Sequence, residues 1–168
     1  VNEKGVSPVE LMNYIEKYGC LESFKALKIP RDDLLYQDVD VLIPAALENQ
    51  IHSRNVERVK AKIIVEGANG PTTPEADDFL EKKGVIVVPD ILANSGGVIV
   101  SHLEWVQALS GLYWEEEEVN QRLEKKLVKS FHEVWEKAKQ LKVSLREAAY
   151  IIALERITEV YRYRGIFP

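Results

Sequence analysis

At 168 residues, 46% hydrophobic and 29% charged, the chain is one domain's worth of polypeptide that can bury a core, and its composition excludes intrinsic disorder. Twenty-two Lys and Arg against 27 Asp and Glu leave a formal charge of −5, which gives no general attraction to nucleic acid or anionic lipid. A single cysteine, Cys20, rules out an internal disulfide framework, and no apolar run reaches the ~18 residues of a membrane-spanning helix.

These features predict a soluble cytoplasmic protein with neither a nucleic-acid nor a membrane partner. Residue 1 is Val, and the only methionine, Met12, falls inside a helical pattern. The chain is therefore expected to be a piece of something longer, unless Val1 reflects a non-standard start or trimming.

Ser7-Pro8-Val9-Glu10 is a helix start: Ser7 can accept the N–H of residue 10, Glu10 can reach back, and Pro8 needs no partner at the first helical position. Leu11, Ile15 and Tyr18 recur at helical spacing until Gly19 ends the run. After a variable stretch with Pro30, Asp32 and Asp33, Val39 to Ile43 reads as a buried strand stopped by Pro44. Ser53 is expected to cap a short helix through Val59, and Ile63 to Val65 forms the next strand. Thr73-Pro74-Glu75 opens a helix ending near Gly84, and Val85 to Val88 makes a third strand closed by Pro89-Asp90.

This alternation implies parallel strands joined by right-handed crossovers, with helices on the faces. Three strands are fewer than an independent doubly wound sheet carries. From Asn94 onward the pattern is helical: one helix over 95–109, broken by Gly111, then a long amphipathic helix led by Glu115–Glu118. Leu123, Leu127, Phe131, Val134, Trp135, Ala138 and Leu141 mark its apolar face, and the glutamates suit the positive end of the helix dipole. Ser144-Leu145-Arg146-Glu147 is a second capping box, opening a helix that runs to Arg164.

Open parallel sheets bind ligands outside the carboxyl ends of their strands. The segments there are Pro44–Asn49, Glu66–Thr73 and Pro89–Gly97, all rich in small, polar and turn-forming residues. Their concentration on one sheet edge points to a binding cleft. Asn69 and Asn94 each offer two donors and an acceptor, suited to a carboxamide or a ribose hydroxyl. Asn-Gly is also a common turn dipeptide, and Asn before a helix is a common cap. Gly96-Gly97 at a helix start allows either close backbone approach to a ligand or tight helix–strand packing.

His52, His102 and His132 stand apart with no Cys/His cluster, so no metal site is expected. Ser101 and His102 are neighbours on a helix and point apart, which implies no nucleophile pair. Neither a P-loop nor a GxGxxG fingerprint occurs, so a nucleotide site here would lack its phosphate-cradling half.

Three motifs carry a resemblance: Asp40-Val41-Leu42-Ile43-Pro44-Ala45-Ala46-Leu47-Glu48-Asn49; the run from Ala61 through Glu66-Gly67-Ala68-Asn69-Gly70-Pro71-Thr72-Thr73-Pro74-Glu75 to Asp77; and Val88-Pro89-Asp90-Ile91-Leu92-Ala93-Asn94-Ser95-Gly96-Gly97-Val98. In this order and spacing they closely resemble the glutamate dehydrogenase family, and the resemblance extends to the tail from Glu104 to Gly165.

It implies a partial Rossmann-type α/β unit with about three parallel strands: residues 1–111 as the C-terminal half of an NAD(P)-binding domain, and 112–168 as a helical segment packing on it. The family converts L-glutamate and water to 2-oxoglutarate and ammonia with NAD or NADP. By the resemblance, its substrate domain, catalytic lysine and aspartate, and glycine-rich turn lie outside this chain, which would hold no catalytic residue and would not bind cofactor tightly by itself.

Carried over onto matching positions, Ala45 and Ala46 would lie along the cofactor's adenosine and ribose, and Asn69 and Asn94 near the nicotinamide and its ribose. Ser101 would bind the substrate's side-chain carboxylate, with Val98 lining the same pocket. Val98 and Ser101, three residues apart, share a helix face. Relatives acting on leucine, phenylalanine or valine are not expected to place a hydroxyl at Ser101, so glutamate is the favoured substrate. The alternative is a naturally short, non-catalytic binding or assembly module of the same family. An uncovered strand edge and uncovered helix faces predict self-association.

Overall fold

The computed structural model describes residues 5–165 and divides into two compact units, the first ending at Gln37 and the second beginning at Asp38. The first contains α1 (Pro8–Tyr18), with Ser7 Oγ accepting the Glu10 N–H at 3.4 Å and Gly19 closing the helix in the left-handed region at φ 73°. Tyr14 lies 4.5 Å from Tyr18 and 5.2 Å from Phe24 between ring centroids, a small aromatic cluster that joins the last turns of α1 to the chain beyond it. Asp32–Tyr36 follows as a 3-10 helix.

The second unit is a three-stranded parallel sheet flanked by helices. Its strands, β1 (Val41–Leu42), β2 (Ile63–Val65) and β3 (Ile86–Val88), lie in the order β1-β2-β3. β1 is shorter than the expected span of Val39 to Ile43 because it pairs on one side only and Pro44 ends it. Val41 and Ile43 stay 47% and 61% exposed on that open edge. α2 (Pro74–Lys82) forms the β2–β3 crossover. Val65 and Val88 line a cleft with Leu92, Leu127 and Phe131, while strand alternation sends the fully buried Ile64 to the opposite face.

Beyond β3 come α3 (Asp90–Ala93), α4 (Gly96–Ser110), α5 (Glu116–Leu141) and α6 (Leu145–Arg164). The one-turn α3 was not legible as a separate element. α5 and α6 form a hairpin whose buried Val134, Ala138, Leu145, Ala148 and Ala149 enclose Leu92, with Trp135 and Ile152 alongside. Lys142, left-handed at φ 57°, turns the chain between them. At the start of α6 the capping box is complete, with Ser144 Oγ accepting from Glu147 N–H and the Glu147 carboxylate accepting from Ser144 N–H at 3.0 Å.

Two local expectations need correction. The segment after Ser53 is a 3-10 turn over Val56–Arg58 with Asn55 at its N-cap. Asn55 closes that turn better because its amide both accepts the His52 N–H and donates to the Gln50 carbonyl, each at 2.8 Å. The helix expected to open at Thr73-Pro74-Glu75 forms as read, with Thr73 at the N-cap and Pro74 in the first position, and the Thr73 hydroxyl is buried without a partner. Leu141, at the end of the apolar face of α5, is 46% exposed where the hairpin turns. No helix among the described residues is long and apolar enough to cross a membrane.

Candidate functional site

The segments after the three strands are stitched to one another by backbone bonds. Between the first and second, Ala68 N–H donates to the Pro44 carbonyl at 2.9 Å, Asn49 N–H to Gly70 at 2.8 Å, and Ile51 N–H to Pro71 at 2.9 Å. Gly67 lets these segments approach: a Cβ there would fall 2.9 Å from the Ala45 Cβ, so the pair needs both a glycine and a small partner. Ala45 and Ala46 are exposed along this rim.

The second and third segments meet through side chains. Asn94 Nδ2 donates to Asn69 Oδ1 at 2.7 Å, and Gly70 N–H donates to Asp90 Oδ2 at 2.8 Å. The two asparagines, 25 residues apart, are thus brought into direct contact. That bond does not use the Asn69 amide N–H groups or the Asn94 carbonyl oxygen, so the pair keeps donors and an acceptor besides it.

Val98, 75% exposed, and Ser101 lie on one face of α4, followed there by the exposed Trp105. Among the described residues no hydrogen bond joins Ser101 to the asparagine pair. A Cβ at Gly96 would sit 3.8 Å from Leu123 and Leu127 of α5, an ordinary contact, and a Cβ at Gly97 would meet open space. Neither position is packed so tightly that it requires glycine, so the tight-packing reading finds no support at either. No group of three or more His, Cys, Asp or Glu side chains among the described residues is placed to hold a metal ion.

Beneath the rim lies a charged cluster that sequence reasoning missed. Arg146 extends from the first turn of α6 and donates to three carboxylates: Asp77 of α2 at 2.5 Å, Glu66 at the end of β2 at 2.8 Å, and Asp90 after β3 at 3.1 Å. Glu66 is fully buried and also accepts the Asp90 N–H at 2.9 Å. Burial alone disfavours the guanidinium's charge; hydrogen bonds to Asp77 and Glu66 outweigh it and hold the Arg146 pKa above its ordinary value.

One signal could have pointed to this cluster. A cation in the first turn of a helix opposes the dipole, so Arg146 at that position calls for a tertiary partner. Its place inside an otherwise regular capping box concealed it.

Three parallel strands with bonded, small-residue segments at their carboxyl ends are the arrangement around which open α/β sheets form ligand crevices. The chain belongs to the Glutamate/Leucine/Phenylalanine/Valine dehydrogenase family, whose profile matches residues 1–165. It is 47% identical over 168 residues to a glutamate dehydrogenase of Thermotoga maritima, covering 99% of this chain and 40% of that protein. An NADP-specific glutamate dehydrogenase of Synechocystis is 46% identical over 174 residues, covering 98% and 41%. The hetero-hexameric glutamate dehydrogenase of Thermus thermophilus superposes with a TM-score of 0.89 at 34% identity, over 99% of this chain and 39% of that one. The chain thus spans about 40% of the length of the relatives it matches.

Proposed function

We propose that this chain forms part of a cytoplasmic glutamate dehydrogenase that oxidatively deaminates L-glutamate to 2-oxoglutarate and ammonia with NAD or NADP. Residues 1–111 supply the second half of the cofactor domain and residues 112–168 its closing helices. The observation that carries this reading is the Asn69–Asn94 pair, held by its 2.7 Å bond at the carboxyl ends of adjacent parallel strands. A nicotinamide carboxamide needs a donor for its oxygen and an acceptor for its nitrogen, and the amide groups this bond does not use are of both kinds.

When bound, the cofactor supplies the hydride acceptor for the substrate's α-carbon. The chain's own residues bind and orient. Asn69 and Asn94 hold the nicotinamide end, Ala45 and Ala46 leave room for the adenosine and ribose side, and Ser101 donates to the substrate's side-chain carboxylate beside Val98. Such orientation is worth several orders of magnitude in rate only when the proton-transfer groups are also in place. The 168 residues alone are therefore expected to bind cofactor weakly and to show no dehydrogenase activity, whereas the native-length polypeptide carrying them oxidises glutamate. Glutamate-dependent cofactor reduction by the purified 168-residue chain would overturn that division of labour. Failure of the native-length polypeptide to oxidise glutamate would overturn the function itself.

The open β1 edge and the exposed Val98, Trp105 and Leu109 of α4 support self-association. Sedimentation of the chain should give a mass above the monomer's that rises with concentration; a monomer throughout would exclude it.

A further inference from the structure

We propose that Arg146 is a positioning residue for the asparagine pair, acting through Asp90; this rests on the reading of that pair as the nicotinamide-holding element. Asp90 is the node from which both asparagines hang. Its Oδ2 accepts the Gly70 N–H at 2.8 Å. That N–H belongs to the peptide plane joining Asn69 to Gly70, so the bond fixes the backbone torsion of Asn69. The Gly70 carbonyl is held from the other side by Asn49 N–H, and Gly70 itself sits in the left-handed region at φ 53°. The Asp90 main-chain carbonyl accepts the Asn94 N–H at 3.1 Å, which sets the second asparagine.

Asp90 is in turn fixed from beneath. Its N–H donates to Glu66 Oε2 at 2.9 Å, and its Oδ1 accepts from Ile91 N–H at 2.8 Å and from Arg146 at 3.1 Å. Arg146 also binds the same Glu66 oxygen at 2.8 Å, so one guanidinium sets both the carboxylate plane and the backbone of the node. A planar fork with donors on three nitrogens can reach three carboxylates at once, and a lysine ammonium cannot hold that geometry. The third arm, to Asp77, leads to α2 and away from the asparagines. This asymmetry separates positioning from mere stability.

The test uses the native-length polypeptide with Arg146→Met, Arg146→Lys and Asp77→Asn. Arg146→Met should speed amide hydrogen exchange in the peptide covering residues 66–73. It should also lower kcat on the order of tenfold or more while the KM for glutamate stays within about threefold. The deuterium isotope effect with glutamate labelled at the α-carbon should rise, because a misplaced nicotinamide makes hydride transfer limiting. Arg146→Lys should move both readouts in the same direction by less, and it carries the test if the methionine variant does not fold. Asp77→Asn should lower stability and leave exchange at 66–73, kcat and the isotope effect as in the unsubstituted protein.

Unchanged exchange at 66–73 in both Arg146 variants would overturn the proposal. So would losses of activity in all three variants that track thermal stability with no change in isotope effect. Faster exchange with unchanged kcat would keep Arg146 as the anchor of the loop and overturn instead the assignment of that loop to the nicotinamide.

Discussion

Arg146→Ala is expected to lower the unfolding free energy by about 3–5 kcal/mol, because it leaves carboxylates that were desolvated around a cation without one. Glu66 is fully buried and cannot turn to solvent, and Asp77 and Asp90 would then face it across the vacated space. Glu66→Gln should cost far less: the amide oxygen can still accept from Arg146 and Asp90, and burial of a neutral group is cheaper. Lys137→Ala is the control, removing the Lys137–Glu155 pair at 2.9 Å, whose glutamate is 59% exposed; such pairs contribute about 0–1 kcal/mol. Urea denaturation of the three variants checks the order. Equal losses for Arg146→Ala and Lys137→Ala would show that the cluster is no more than another surface network.

The exposed Lys62–Asp40 pair at 2.6 Å belongs with the control. Hydrogen bonding and then Coulomb attraction from Lys62 lower the Asp40 pKa and, reciprocally, raise that of Lys62. Any stabilisation it gives is lost as pH falls through the depressed Asp40 pKa, and again as pH rises through the raised Lys62 pKa.

Ser101→Ala in the native-length polypeptide is expected to reduce kcat/KM for glutamate by roughly 10- to 150-fold, the value of a hydrogen bond to a charged group at about 1.5–3 kcal/mol. The same substitution should leave turnover of an apolar amino acid of similar length unchanged or raised, since no carboxylate is then left unpaired. Ser101 is exposed on α4 on the same face as Val98, so its replacement disturbs no packed core and thermal stability should hold. A parallel fall for both substrates would remove Ser101 from the recognition of the side-chain carboxylate.

The fold was legible where local chemistry decides the outcome. Ile63–Val65 formed the strand its β-branched run implied, and Ser144 and Glu147 formed the reciprocal cap. Gly19 and Gly111 ended their helices in the left-handed region. Legibility failed where partners are distant in sequence. The Asn55 turn prevailed over Ser53 because the Gln50 carbonyl stood within reach. The Asn69–Asn94 contact spans 25 residues and Arg146–Glu66 spans 80, so neither follows from spacing; the shared sheet edge put both asparagines in view, whereas the first-turn position of Arg146 calls for a partner without saying which.

The hairpin of α5 and α6 has a mechanical consequence. Arg146 ties it to the sheet at its turn, while the side chains from Leu154 to Arg164 are exposed. The distal half of α6 is joined to α5 by surface ion pairs, Lys137–Glu155 and Arg156–Glu133. A 20-residue helix is about 30 Å long, so a tilt of about 5° at the Arg146 end would displace the other by roughly 2.6 Å. The hairpin is thus a lever with its fulcrum beneath the asparagine pair. A displacement of its far end would act on Asp90 through the 3.1 Å Arg146 contact.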